Sequence, residues 1–409
     1  MNILAVVPFL LHENVKHGGG NQVLRTIKGL ASAGNDIYLV CISEHEPGKY
    51  KEETESLKSF CKEIHVFQKN KLNFLKKTIS FLRPSLPPHA RNILSSGAEQ
   101  KIKSLIDSGK IDLSYIFFAY SGAYLDFMKN SRTLLVIDTQ EVGSRKYKMR
   151  FQSNISLMQR LHAIITYIRE KKFEKEVFEK ADLVVTITEE EKEYILSYCK
   201  PKAFHVVPPM INVENIKEYK TEIYENSLLF FGSFAHPPNH EALNWFLSCA
   251  FETIKQKQKD VCLYIAGVDS DKCFGHLNSG NIRVVGQVDD IYEWISKVQV
   301  VISPIISGGG ARIKNIEALA MGKPLVTTKL GAEGLLCRDG YRVADNPEDF
   351  ADRVVELLKS KKERDAVSAR AAEMIRNIHN VYTVGTMLDS KLRDLQHFSD
   401  NKSVAVNKD

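Results

Sequence analysis

The sequence predicts an α/β protein built as two Rossmann-like domains, each a doubly wound parallel sheet, with the last helix crossing back onto the first domain. Three observations carry that expectation. Short apolar runs of strand length alternate with longer runs whose apolar residues recur at helical spacing, which is the pattern of repeated strand–helix–strand units. The alternation pauses in a polar stretch after the doubled proline Pro208-Pro209 and resumes at Leu228, so 409 residues divide into two domains of ordinary size. No residue string recurs between the halves, so their likeness is architectural and not a short-period repeat.

Taken in order, residues 2–7 read as a first strand, Gly18-Gly19-Gly20 as a loop, 21–33 as a helix and 36–42 as a second strand. Val23, Leu24, Ile27, Leu30 and Ala31 form the buried stripe of that helix. The glycines lie beyond the carboxyl end of the first strand, where such folds bind ligands, but a flexible connector explains them equally well. The GxGxxG spacing is absent, which argues against a dinucleotide cofactor. Further strands are expected at 113–118, 133–138, 182–187 and 204–209, with Thr188 and Glu191 forming a capping box for a helix to about Tyr198. The second half offers strands at 228–231, 261–266, 282–285, 298–303 and 324–327, and helices after Asn346, the last from about Val381 to Phe398. The expected domains are 1–209 with about 380–398, and 210–379. The polar tail 399–409 is expected to be disordered.

Composition narrows the function classes. Seven scattered cysteines with no CxxC pair fit reduced thiols better than a disulfide frame or a zinc site. The apolar N-terminus lacks a preceding basic residue and a small-residue cleavage site, so it reads as a core strand and the expected location is cytoplasmic. A net charge of +6 is too modest to call for nucleic acid. Its distribution is uneven: segments 69–91 and 145–172 interleave basic and apolar residues, so an anionic membrane surface on the inner face is a candidate partner. Ordinary helices with solvated basic faces account for them equally well.

The chemistry concentrates in residues 303–335. A buried strand runs into Gly308, Gly309 and Gly310, then a helix from about 311 to 321 whose first turn offers free amides and a positive dipole end, suited to phosphate. Arg312 and Lys314 add cations where a helix with no anion to hold prefers acids. Glu317, three residues beyond Lys314, is placed to take ribose hydroxyls, although a solvated Lys314–Glu317 pair worth about 0.2–0.5 kcal/mol is the plain alternative. No metal signature appears; Asp289-Asp290 reads as a helix start.

These stretches resemble the retaining GT-B glycosyltransferases, family-4-type (glycosyl transferases group 1), in a GGG-x-R-x-K-x-x-E subgroup. The matching residues are the glycines 18–20, Thr186-Ile-Thr-Glu189, Val206-Val-Pro-Pro209, Phe231-Gly232-Ser233 with Pro238-Asn239, Gly286-Gln-Val-Asp289 and the run from Gly308 to Pro324. The resemblance implies two domains facing a cleft, a nucleotide-diphosphate-sugar donor on the C-terminal domain and a glycan, lipid-linked or protein acceptor on the N-terminal one. It places donor contacts at Gly19, Gly20, Gly232, Gly309, Gly310, Ala311 and Glu317, and catalytic roles at Arg312, Lys314 and Gln140, with no metal and no cofactor. Three departures stand out. Gly309 falls where the family's first motif glutamate lies, so backbone amides would contact the donor there. Gln140 stands where relatives carry a histidine facing the transferred sugar, and glutamine cannot take a proton. His236, Pro237, Pro238 and Asn239 replace a basic pair, leaving Arg312 and Lys314 to supply the charge. The alternatives are a non-catalytic nucleotide-sugar-binding partner of another transferase and a sugar-nucleotide epimerase. Neither the sugar, the base nor the acceptor is read from the sequence.

Overall fold

The computed structural model describes all residues except 14, 16–17, 45–49, 71–85, 129–132, 153–155, 218, 279 and 407–409. The chain divides into two compact units, residues 1–210 with 381–409, and residues 211–380.

The first unit holds a seven-stranded sheet. Its strands are β1 (Asn2–Val7), β2 (Asp36–Ser43), β3 (Glu63–Gln68), β4 (Leu113–Phe117), β5 (Leu134–Asp138), β6 (Leu183–Thr186) and β7 (Phe204–Val206). They lie in the order β3-β2-β1-β4-β5-β6-β7 and pair in parallel throughout. The second unit repeats the plan with β8 (Ser227–Phe231), β9 (Cys262–Ala266), β10 (Ile282–Gly286), β11 (Val300–Ser303), β12 (Leu325–Thr327) and β13 (Tyr341–Val343), ordered β10-β9-β8-β11-β12-β13. Helices cover both faces of each sheet, so central strands are apolar on both sides: all five residues of β8 and all four of β11 are buried. In each sheet the chain reverses direction of travel once, between β1 and β4 and between β8 and β11, and crevices at the carboxyl ends of such strand pairs are where doubly wound sheets hold ligands.

The sequence missed two strands. β3 reads Glu-Ile-His-Val-Phe-Gln, a partly buried edge strand whose alternation is masked by the basic residues that follow. β13 has only three residues, below the length at which periodicity speaks. Most of the basic segment 69–91 lies outside the described residues; its described end forms a short helix, Pro88–Asn92. The loop expected at Gly18–Gly20 is instead the first turn of the helix Gly18–Ser32. Glycine is costly in a helix interior but tolerated in the opening turn, whose amides have no intrahelical acceptor.

The last helix, Val381–Val406, belongs to the first unit, with Val381, Val384, Leu388 and Leu392 in its core. It was expected to stop at Phe398 before a disordered tail. It continues because Ser399–Val406 contains no proline or glycine, and each added residue closes one more hydrogen bond. It crosses the first helix at a glycine pair: a Cβ on Gly385 would lie 2.4 Å from backbone atoms of Gly29. Beside the crossing, Asp389 accepts from Asn35 at 2.7 Å and from Arg393 at 2.8 Å.

Among the described residues of the first unit, three glutamates are buried. Glu174 accepts from the Ser144 amide at 3.1 Å and the Tyr198 hydroxyl at 3.0 Å, closing the start of the helix Gly143–Gln152. Burial, reinforced by Glu174, pushes Glu170 up to about 8, and burial lifts Glu191 to about 8 as well. A carboxyl raised above its unfolded value stabilises the protein fully below about pH 4.5, and that stabilisation is lost as pH rises towards about 8. Glu170→Gln is therefore expected to raise the melting temperature at pH 8 by roughly 2–4 °C and to leave it unchanged at pH 5. Parallel melting curves at the two pH values check this.

Candidate functional site

The carboxyl ends of β8 and β11 supply most of the predicted residues. Just past β8, Gly232 has φ 148°, and a Cβ there would lie 2.8 Å from Asn239 Nδ2. Asn239, on the helix Pro237–Trp245, donates to the Ser233 carbonyl at 2.9 Å and so folds the loop over the end of the strand. Past β11 the chain runs through Ser307-Gly308-Gly309-Gly310-Ala311. Gly308 and Gly310 have φ of 81° and 82°, the left-handed region that favours glycine. At Gly308 a Cβ would also sit 3.0 Å from Pro238 Cγ, so the loop rests flat on the start of the neighbouring helix. Of the three glycines read from the sequence as freeing the backbone, Gly308 thus bears the steric demand, although the donor contacts implied by the resemblance are Gly309 and Gly310.

The helix begins at Ile313, two residues later than expected, and ends at Ala320. Arg312 is extended, with φ −98° and ψ 90°, and its carbonyl accepts the first turn's bonds. Its guanidinium turns back onto the loop, donating to the carbonyls of Gly308 at 2.7 Å, Gly309 at 2.9 Å and Ser307 at 3.2 Å. Arg312 therefore braces the glycine loop, a role the sequence did not suggest. Among the described residues, the amides of Gly309, Gly310 and Ala311 donate to no protein acceptor. Buried amides are rarely left so, and Gly310 is buried.

Lys314 is the centre of the arrangement. Its ammonium donates to the Phe231 carbonyl at 3.1 Å and Asn239 Oδ1 at 3.0 Å, and lies 4.2 Å from the centre of the Phe230 ring. Both acceptors are neutral. Burial, reinforced by the nearby Arg312, pushes this lysine down to about 7. A withdrawn cation that, among the described residues, pairs with no carboxylate is a poor structural ion pair and a good receptor for an anion. Glu317, one turn on, accepts from the Tyr292 hydroxyl at 3.2 Å. Tyr292, on the helix Ile291–Lys297, was not foreseen, because a tyrosine on a short helix carries no sequence signal for a site. Asp290 caps that helix through the Tyr292 amide at 2.9 Å, so the acid pair is a helix start as expected.

The remaining predicted residues lie in the first unit. Gly19 and Gly20 sit in the opening turn of the first helix, so they are helical and do not form the expected loop. Gln140 follows β5 with φ 52°, and Phe118, just after β4, has φ 63°. Side-chain-bearing residues take such values at a cost and cluster at functional sites. The Gln140 amide donates to Asp138 Oδ1 at 2.9 Å, and Asp138 also accepts from Tyr115 at 3.0 Å. Burial nevertheless raises Asp138 to about 6. Gln140 is thereby held by its own neighbour, with its carbonyl oxygen buried and unpartnered.

The first unit also contains a cavity of about 890 Å³ at the carboxyl ends of β1 and β2, lined in part by Phe9, His12, Glu44, Glu53, His89 and Tyr120. His12 and His89, which stand in no motif of the sequence, both line this cavity, and His17 lies outside the described residues. Burial pushes His89 below its ordinary value, and its ring contacts the Tyr147 hydroxyl at 3.0 Å.

Two doubly wound parallel sheets of this order are the architecture of the GT-B fold. Residues 225–360, most of the second unit, match the family model for Glycosyl transferases group 1. Among curated proteins the chain is similar to an uncharacterized 44.6 kDa protein in the cps region of Klebsiella pneumoniae, 23% identical over 365 residues, covering 84% of this chain and 88% of that one. Among solved structures it is similar to sucrose-phosphate synthase from Thermosynechococcus elongatus, with a TM-score of 0.69 and 15% identity, covering 97% of this chain and 99% of that one. It is also similar to Anabaena HepE in complex with UDP and glucose, with a TM-score of 0.66 and 12% identity, covering 96% and 99%. At these identities the structural likenesses establish the fold.

Proposed function

We propose that the chain is a glycosyltransferase that moves a sugar from a nucleoside-diphosphate-sugar to a glycan, lipid-linked or protein acceptor, with retention of configuration and without a metal. The observation that carries this reading is Lys314: a withdrawn ammonium held by neutral acceptors only, beside three unpaired loop amides. A nucleoside diphosphate supplies the anion that this group lacks, and Glu317 with Tyr292 supplies hydrogen-bonding partners for ribose hydroxyls. The match of residues 225–360 to Glycosyl transferases group 1, and the HepE complex with UDP and glucose, support the same ligand class.

In the transfer, a bond forms between the acceptor oxygen and the anomeric carbon while the anomeric carbon–oxygen bond to the diphosphate breaks. The acceptor's proton passes to the departing phosphate oxygen, so no side-chain nucleophile is needed. Lys314 and the amides of residues 309–311 stabilise the negative charge that grows on the leaving group. Arg312 acts by holding those amides in place. The acceptor is assigned to the first unit's cavity, where Phe9, His89 and Tyr120 offer ring faces and Glu44 and Glu53 offer hydroxyl acceptors.

A thermal-shift comparison of UDP, GDP and ADP tests this. The matching diphosphate at about 100 times its dissociation constant is expected to stabilise the protein by about 2.7 kcal/mol, and the corresponding nucleoside by much less. No shift with any diphosphate overturns the reading. The pinned Gln140 favours one rival, a non-catalytic nucleotide-sugar-binding partner; donor hydrolysis or transfer by the isolated chain excludes it.

A further inference from the structure

The helix Leu157–Lys180 has two apolar faces. One packs into the first unit through Ala163, Thr166, Glu170, Phe173, Val177 and Phe178. The other is open: Leu157, Met158, Leu161, Ile165 and Ile168 are 80%, 76%, 52%, 40% and 59% exposed. At about 100° per residue these five fall within a single arc of about 100°, opposite the packed face. A helix whose outer face is this apolar is unusual in a monomer, where large side chains are normally exposed singly.

The charges around the stripe identify its partner. Arg160 is exposed on one flank, and Lys172 continues the stripe at its far end. The helix Gly143–Gln152 packs alongside through Phe151 against Tyr167, with ring centres 5.5 Å apart, and carries exposed Lys146, Lys148 and Arg150. Across residues 145–172 the one acid is Glu170, and it faces inward at 3% exposure. Leucine, methionine and isoleucine bordered by lysine and arginine are the chemistry of a helix that lies in the interface of an anionic bilayer. Among the described residues no helix is long and apolar enough to cross a membrane, so the contact is lateral.

We propose that the exposed stripe of Leu157, Met158, Leu161, Ile165 and Ile168, with its basic border, is a docking surface for an anionic lipid bilayer. The apolar residues enter the acyl boundary and the cations meet the headgroups. This surface is independent of the diphosphate site and stands or falls separately from it.

The test is flotation of the full chain with vesicles of phosphatidylcholine alone, and with vesicles containing 30% phosphatidylglycerol, the latter at low and high salt. Binding is expected to the anionic vesicles and to weaken as salt screens the headgroups. The triple variant Leu157→Ser, Leu161→Ser, Ile168→Ser and the charge variant Arg160→Glu, Lys172→Glu are each expected to bind at least about tenfold more weakly. All five side chains are exposed, so both variants should melt with the wild type and retain its diphosphate-induced thermal shift. Light scattering on the same samples reports whether the stripe pairs two copies. Equal binding to neutral vesicles, undiminished binding by the triple variant, or a dimer that the triple variant dissolves without any lipid binding each overturn the proposal.

Discussion

Lys314→Met is expected to lower glycosyl transfer by roughly 10²–10³-fold while leaving the protein as stable as the wild type or more so. The loss follows from removing a preorganised cation from the leaving diphosphate. The stability follows from the sign of the pKa change. A lysine depressed to about 7 in the folded state is penalised there, so wild-type stability rises with pH between about 7 and 10.5. An isosteric neutral chain escapes that penalty at pH 7. Bound diphosphate favours the ammonium, so the wild type should take up a proton on binding at pH 8 and lose affinity as pH rises past 7. Calorimetry in two buffers of different ionisation enthalpy measures that uptake, which should vanish in Lys314→Met. Wild-type turnover in the variant would remove this site from the reaction.

Gly385→Ala is expected to destabilise the protein by about 1–3 kcal/mol, although alanine normally improves a helix interior by about 1 kcal/mol over glycine. The reversal arises at the crossing with the first helix, where the added methyl would lie 2.4 Å from the Gly29 backbone. Gly29→Ala meets the Val381 carbonyl at 2.8 Å and should behave alike. The readouts are the melting temperature and protease cleavage within 381–406. An alanine that raises the melting temperature at Gly385 would mean that the two helices do not cross so closely.

The sequence conveyed the two-sheet plan because buried parallel strands are apolar on both faces and stand out between amphipathic helices. β3 and β13 escaped for the opposite reason, one half-polar at an edge and the other three residues long. At the site, the composition of the glycine loop was legible but not its geometry. That Gly308 must be glycine depends on Pro238, seventy positions away in the chain, and that Arg312 braces the loop depends on where three carbonyls point. Lys314 stood out by its position near a helix start, yet its neutral surroundings come from Phe231 and Asn239 on another strand and helix. Tyr292 and the paired strain at Phe118 and Gln140 are products of tertiary packing that no local pattern announces.

The first unit is assembled from two stretches, residues 1–210 and 381–409, that flank the single stretch of the second, residues 211–380. During synthesis the second unit is therefore complete before the first is, because Leu388 and Leu392 leave the ribosome after residue 380. Until they arrive, the apolar flank of the first helix waits uncovered, and the first unit depends on residues 381–406 to finish what residues 1–210 began.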